Sequence, residues 1–135
     1  MTNKELVTDF FMEGYVHHNY DFLMKNMSDD YLDHSSCAAK SNQECVDILK
    51  NTEKMFSNMQ VEILDLIEEN NKAAVRVYFT GIHSGEAFGI APTGKAISFE
   101  ALEIFRIENG LIVESWGYWP DAYIKECIVM EYTSR

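Results

Sequence analysis

The chain has 135 residues and a mass of 15.6 kDa, 47% hydrophobic and 24% charged; one domain of this length buries roughly two-thirds of its unfolded surface, and seven Tyr, eight Phe and two Trp exclude disorder as the main state. Eleven basic against 22 acidic residues leave a net charge of −11 spread over both halves, a field that repels nucleic-acid phosphates and anionic lipid and excludes both as partners. Cys37, Cys45 and Cys127 are odd in number and lack CxxC spacing, which argues against a disulfide framework and for a reducing, cytoplasmic setting.

The N-terminal MTNKELVTDFF has no basic stretch leading into an apolar run, so no signal peptide is expected, and no apolar run is long enough to span a bilayer. Thr2 and Glu5 have the spacing of a capping box, and Leu6, Phe10, Phe11 and Tyr15 follow at helical spacing. His17-His18-Asn19-Tyr20-Asp21 interrupts the pattern. Asn19 is placed to cap a short second helix through Phe22, Leu23 and Met27. Ser41 and Glu44 repeat the capping spacing. Cys45, Ile48, Leu49, Thr52, Met55, Phe56 and Met59 then form one stripe, predicting a third helix of about five turns.

The second half reads as strands: 61–67, 73–83, 96–107 and 111–119. The first two are joined by Glu69-Asn70-Asn71-Lys72, the last two by Asn109-Gly110, a strong hairpin signal. Pro120 ends the last strand, and Asp121 is placed to cap a final helical segment, 122–130. Helices followed by an antiparallel meander predict a single α+β domain over 1–135, with helices covering one face of a curved sheet that can enclose a cavity.

Strand alternation sorts the side chains. Phe99, Ala101, Glu103, Phe105 and Ile107 share one face of their strand; Glu100, Leu102, Ile104 and Arg106 share the other. On the last strand Val113, Ser115, Gly117 and Trp119 oppose Ile112, Glu114, Trp116 and Tyr118. The face with Phe99, Phe105 and Val113 is the more apolar and is expected inside. Glu103 is then a carboxylate in apolar company, with a raised pKa suited to general acid/base work. The plainer alternative is a carboxylate satisfied by a Tyr or Trp donor, or one at a wet pocket mouth. The opposite face, with Leu102, Ile104, Trp116 and Tyr118, is expected to form a homodimer interface, the alternative being cover by another segment of the same chain.

His34, in DDYLDHSS, is a candidate pocket group or a loop histidine capping the backbone. Tyr15, Phe99, Trp119 and Tyr78 are candidates to shape the pocket, and His83 ends the second strand between Gly81 and Gly85. No His, Cys or acidic group has a recognised metal-ligand spacing, and no GxSxG, phosphate-loop or dinucleotide fingerprint is present, so neither metal nor cofactor is expected. Cys45 on the helical stripe reads as core rather than nucleophile.

DDYLDH, followed by TGIHSGEAFGIAPTGKAISFEALEIFRIENGLIVESWGYWPD, resembles the SnoaL-like polyketide cyclase family of the nuclear transport factor two-like superfamily. The densest match runs from Thr80 to Asp121, through T-G-x-H-x-G, P-T-G-K and I-F-R-I-x-N-G-L-I-V-E-x-W; Asp33-His34 fits the family's acidic-His element. The resemblance implies a cone-shaped α+β barrel around a deep pocket, dimerisation through the outer sheet face, and cofactor-free aldol cyclisation of a polyketide ester driven by a pocket carboxylate. It departs at the expected acid/base: where the family has His-Trp-Asp, this chain has Ser115-Trp116-Gly117, and where it has a polar residue and a His it has Ala101 and Glu103. Two functions follow as expectations. One is a cyclase- or isomerase-like enzyme acting on a small, mostly apolar molecule, with Glu103 as acid/base, His34 polar in the pocket, and Tyr15, Tyr78, Phe99, Ala101, Ser115, Gly117 and Trp119 around it. The other is a non-catalytic small-molecule-binding protein of the same fold.

Overall fold

The computed structural model describes residues 1–35 and 39–130; Cys37 lies outside the described residues. The Thr2–Glu5 capping box forms and starts α1, Asn3–Phe11. The helix widens into a π-helical turn, Met12–Val16, that buries Gly14 and Tyr15. Asn19 precedes α2, Tyr20–Asn26, but its side chain makes no cap; its amide donates to Glu13 instead, at 3.1 Å.

A strand that the sequence reading does not contain follows, and it takes Met27, expected in the second helix. Met27–Asp33 is a strand, β1, paired in parallel with the last strand of the sheet. Its sequence, MSDDYLD, is poor in strand formers, and the partner lies some eighty residues away, so tertiary pairing overrides local preference. Ser41 caps α3, Asn42–Met55, by accepting from the Glu44 amide at 3.0 Å. This helix is shorter than its apolar stripe suggests: Phe56 and Met59 belong to β2, Phe56–Glu69, which begins without a loop.

Three strands complete the meander: β3, Lys72–His83, β4, Ala96–Glu108, and β5, Leu111–Tyr118. Asn70-Asn71 and Asn109-Gly110 all sit at positive φ, the conformation of tight two-residue hairpins. Strand order is β1-β5-β4-β3-β2. The β2–β3 and β4–β5 ladders carry bulges, which bend long strands around the helices. The bulge in β4–β5 also revises one inward assignment. Ile107 pairs with Ile112, leaving Val113 as the extra residue. Ile112 is therefore the fully buried side chain and Val113 only half-buried.

The inner face and helices close over Val7, Phe11, Leu23, Phe79, Phe105 and Ile112, all at or near zero exposure. Each such large apolar side chain contributes about 1.5–3 kcal/mol through burial. The final helix, α4, spans Asp121–Val129, with Asp121 in its first turn.

The segment from 84 to 95 is tied down from three sides. His83 is fully buried, and its Nδ1 accepts from the Thr93 amide at 3.2 Å and bonds the Thr93 hydroxyl at 2.9 Å. Gly85 packs on the end of α3 so closely that a Cβ would lie 1.8 Å from the Lys54 carbonyl oxygen, which excludes any side chain. Lys95 donates through Nζ to the carbonyls of Ile128 (3.1 Å) and Met130 (2.8 Å), holding the end of α4. The T-G-x-H-x-G and P-T-G-K motifs are thus joints of the frame.

Candidate functional site

Between the inner sheet face and the helices lies a cavity of about 530 Å³. Tyr15 reaches it from the π turn, Tyr31 and Asp33 from β1, Cys45 from α3, and Phe99 and Glu103 from β4. Gly117 of β5 and Trp119 just beyond it complete the far wall. Phe88, in the tied segment, lies at the rim and is 42% exposed.

Glu103 is the chemical centre of this wall. It faces Gly117 across the ladder. A Cβ at residue 117 would stand 2.8 Å from Glu103 Oε1, so the missing side chain makes room for the carboxyl group. The Trp119 indole donates to the same oxygen at 3.0 Å. Burial pushes the Glu103 pKa up from 4.5 to about 7; the Trp119 bond opposes the shift and the charge of Asp33 adds to it. A carboxyl group there exists in both protonation states near neutrality, the condition for giving and taking protons.

Three of its neighbours, Tyr15, Tyr31 and Cys45, are held neutral. Burial, reinforced by Glu103, raises the Tyr15 pKa well above its ordinary value, so the phenol stays protonated. The Tyr15 hydroxyl takes no hydrogen bond among the described residues. Burial likewise raises Tyr31, whose hydroxyl bonds that of Ser115. The Cys45 thiol is raised too, by burial and then by Glu103 and Asp33, which disfavours a thiolate. Among the described residues no group of three or more His, Cys, Asp or Glu side chains is arranged to hold a metal ion.

Of the residues singled out from the sequence, the cavity wall brings together Tyr15, Phe99, Glu103, Gly117 and Trp119. Ala101 and Ser115 are buried on the same face but lie behind the wall, Ser115 acting on it through Tyr31. Two expectations are corrected. Tyr78 lies between buried Val77 and Phe79, so alternation turns it to the outer face, opposite Glu62 and Glu100. His34 follows inward-facing Asp33 and therefore emerges on the outer side. There it stacks on Trp116 with ring centroids 4.9 Å apart and bonds Glu114 at 2.6 Å. That sets it beside a separate depression of about 250 Å³.

Tyr31 is a lining residue absent from the sequence-based candidates, and Asp33 figures among them only within the acidic-His element of the resemblance. The signal was there: two residues apart, they share a face once 27–33 is recognised as a strand.

The family model for SnoaL-like polyketide cyclases matches residues 5–125. The fold is similar to that of a protein from Jannaschia sp. CCS1 assigned as a SnoaL-like polyketide cyclase, with TM-score 0.87 and 17% identity over 96% of this chain and 93% of that one. It is also similar to IdmH from Streptomyces antibioticus, assigned as a polyketide cyclase, with TM-score 0.85 and 17% identity over 96% of this chain and all of the other (100%). AclR from Streptomyces galilaeus, assigned as a hydroxylase, is 26% identical with TM-score 0.77, covering 86% of each chain. No curated protein matches the chain. No helix among the described residues is long and apolar enough to cross a membrane. With its helices, its curved five-stranded sheet and the match over 5–125, the chain belongs to the SnoaL-like polyketide cyclase family.

Proposed function

We propose that this protein binds a small, mostly apolar organic molecule in the central cavity and catalyses proton transfer on it with Glu103, in an aldol cyclisation or isomerisation. The observation that carries this reading is the Glu103 carboxyl, lifted to about 7 and facing the cavity from an apolar wall. Glu103 takes a proton from a carbon next to a carbonyl, and charge develops on the carbonyl oxygen. The protonated, unpartnered Tyr15 hydroxyl supplies a donor for that oxygen. The protonated Glu103 then returns its proton to the product. None of these steps calls on a cofactor.

The test is turnover by Glu103→Gln on a panel of keto-ester substrates. The variant keeps the shape of the side chain and loses the proton; the expected loss is roughly 10²- to 10⁴-fold, with the wild-type rate showing an inflection near pH 7. Equal turnover by both proteins overturns the assignment.

A second reading is a binding protein without catalysis. It is favoured by Ser115 and Gly117, which stand where the resemblance places a His and an acidic base. On that reading the same variant changes affinity, with no turnover to lose. In either case we place the protein in the cytoplasm, paired with a second copy through the outer sheet face, where Leu102 is 54%, Ile104 40% and Tyr118 74% exposed. Sedimentation equilibrium is expected to give twice the chain mass, and Leu102→Glu to return it to one.

A further inference from the structure

The charged groups among the described lining residues of the cavity are all of one sign. Asp33 and Glu103 line its interior, Asp47 and Asp121 are exposed at its edge, and among the described lining residues there is no Lys, Arg or His. Five of the described cations are engaged elsewhere. Arg76 pairs with Asp65 and Glu100, and Arg106 with Glu108 and Glu114. Lys95 holds the end of α4, Lys72 lies over Trp116, and Lys50 lies over Tyr20.

A negatively charged ligand entering this cavity meets like charge and finds no counter-ion among the described lining residues. A positively charged one finds the reverse. The wall beside Glu103 is a continuous aromatic surface: Trp119 lies 5.3 Å from Phe99 and 5.7 Å from Tyr15 between ring centroids. Aromatic faces attract organic cations, most strongly where water is excluded. Tyr15, only 8% exposed, turns into the cavity a hydroxyl that has no hydrogen-bond partner among the described residues. The net charge of −11 draws cations toward the opening.

Resting on the cavity being the ligand site, as proposed above, we infer that its ligand is an organic cation: a protonated or quaternary amine on an apolar body, with Asp33 and Glu103 as counter-charges and Trp119, Phe99 and Tyr15 as the packing wall. Such a ligand favours the ionised form of Glu103, so its arrival readies the carboxylate as a base.

The experiment compares two probes that differ by one atom, (4-hydroxyphenyl)trimethylammonium and its neutral carbon analogue 4-tert-butylphenol, by titration calorimetry at pH 8. The cation is expected to bind roughly tenfold or more tightly than the phenol. Asp33→Asn and Glu103→Gln are each expected to weaken the cation by roughly tenfold and the phenol by less than about twofold. Retained phenol binding shows that the variants are folded. If the phenol binds as tightly as the cation, or alone, the charge assignment falls and the cavity reading survives. If neither probe binds, both fall.

Discussion

Glu103 and Glu114 sit on neighbouring strands of one sheet and face opposite sides of it. Glu114 is on the outer face, where Arg106 at 2.6 Å and His34 at 2.6 Å hold its carboxyl below the usual range. Glu103 is on the inner face, where burial drives it up to about 7 and only an indole N–H opposes the shift. Strand parity decides which environment a carboxylate meets, and the supply of counter-charge decides what it becomes. On the outside it is a permanent anion in a network of ion pairs; on the inside it is a group whose two protonation states balance near neutral pH.

The sharpest test of this contrast is the pH dependence of stability. The folded pKa of Glu103 lies above its ordinary value of 4.5, so its protonated form is the one that folding favours. That stabilising contribution is complete below pH 4.5 and is lost as pH rises through about 7. Glu103→Gln is therefore expected to match the wild type near pH 4 and to exceed it at pH 8 by on the order of 3 kcal/mol, at about 1.4 kcal/mol per pKa unit. Urea unfolding of both proteins at the two pH values measures it, and parallel curves would break the inner half of the comparison.

Gly117→Ala comes next. Its Cβ displaces the end of a flexible side chain, so Glu103 swings away from Trp119 rather than the backbone yielding. The expected cost is about 1–2 kcal/mol in unfolding free energy. Trp119→Phe keeps the ring and removes the donor. The Glu103 carboxyl is expected to titrate above about 7, by roughly one unit, in carboxyl-carbon nuclear magnetic resonance. At the small end, Glu100→Gln on the outer face breaks an exposed pair with Arg76 and is expected to leave the unfolding midpoint unchanged.

Much of this arrangement was legible in the sequence, for identifiable reasons. The Asn109-Gly110 turn fixes the β4–β5 register, and alternation then carries Glu103 inward beside Phe99 and Phe105. The same alternation correctly sets Leu102, Ile104 and Tyr118 outside. What escaped depends on long-range pairing. A parallel edge strand written as MSDDYLD has no local signature, and without it Asp33 and His34 look like a pair when they lie on opposite faces. The exchange of Ile112 for Val113 comes from one bulge, whose position is set by the twist of the assembled sheet and not by any residue in it. Tyr78 faces outward by the parity of β3, where buried Val77 and Phe79 flank it.

The knot of His83, Gly85, Thr93 and Lys95 has a consequence for how such proteins diverge. The most recognisable stretch of the chain fastens β3 to α3 and to α4, and its ties make no use of Glu103, Tyr15 or Trp119. Frame and cavity wall are therefore under separate constraints. A substitution on the cavity wall can therefore change what the pocket holds without loosening the ties that keep its shape.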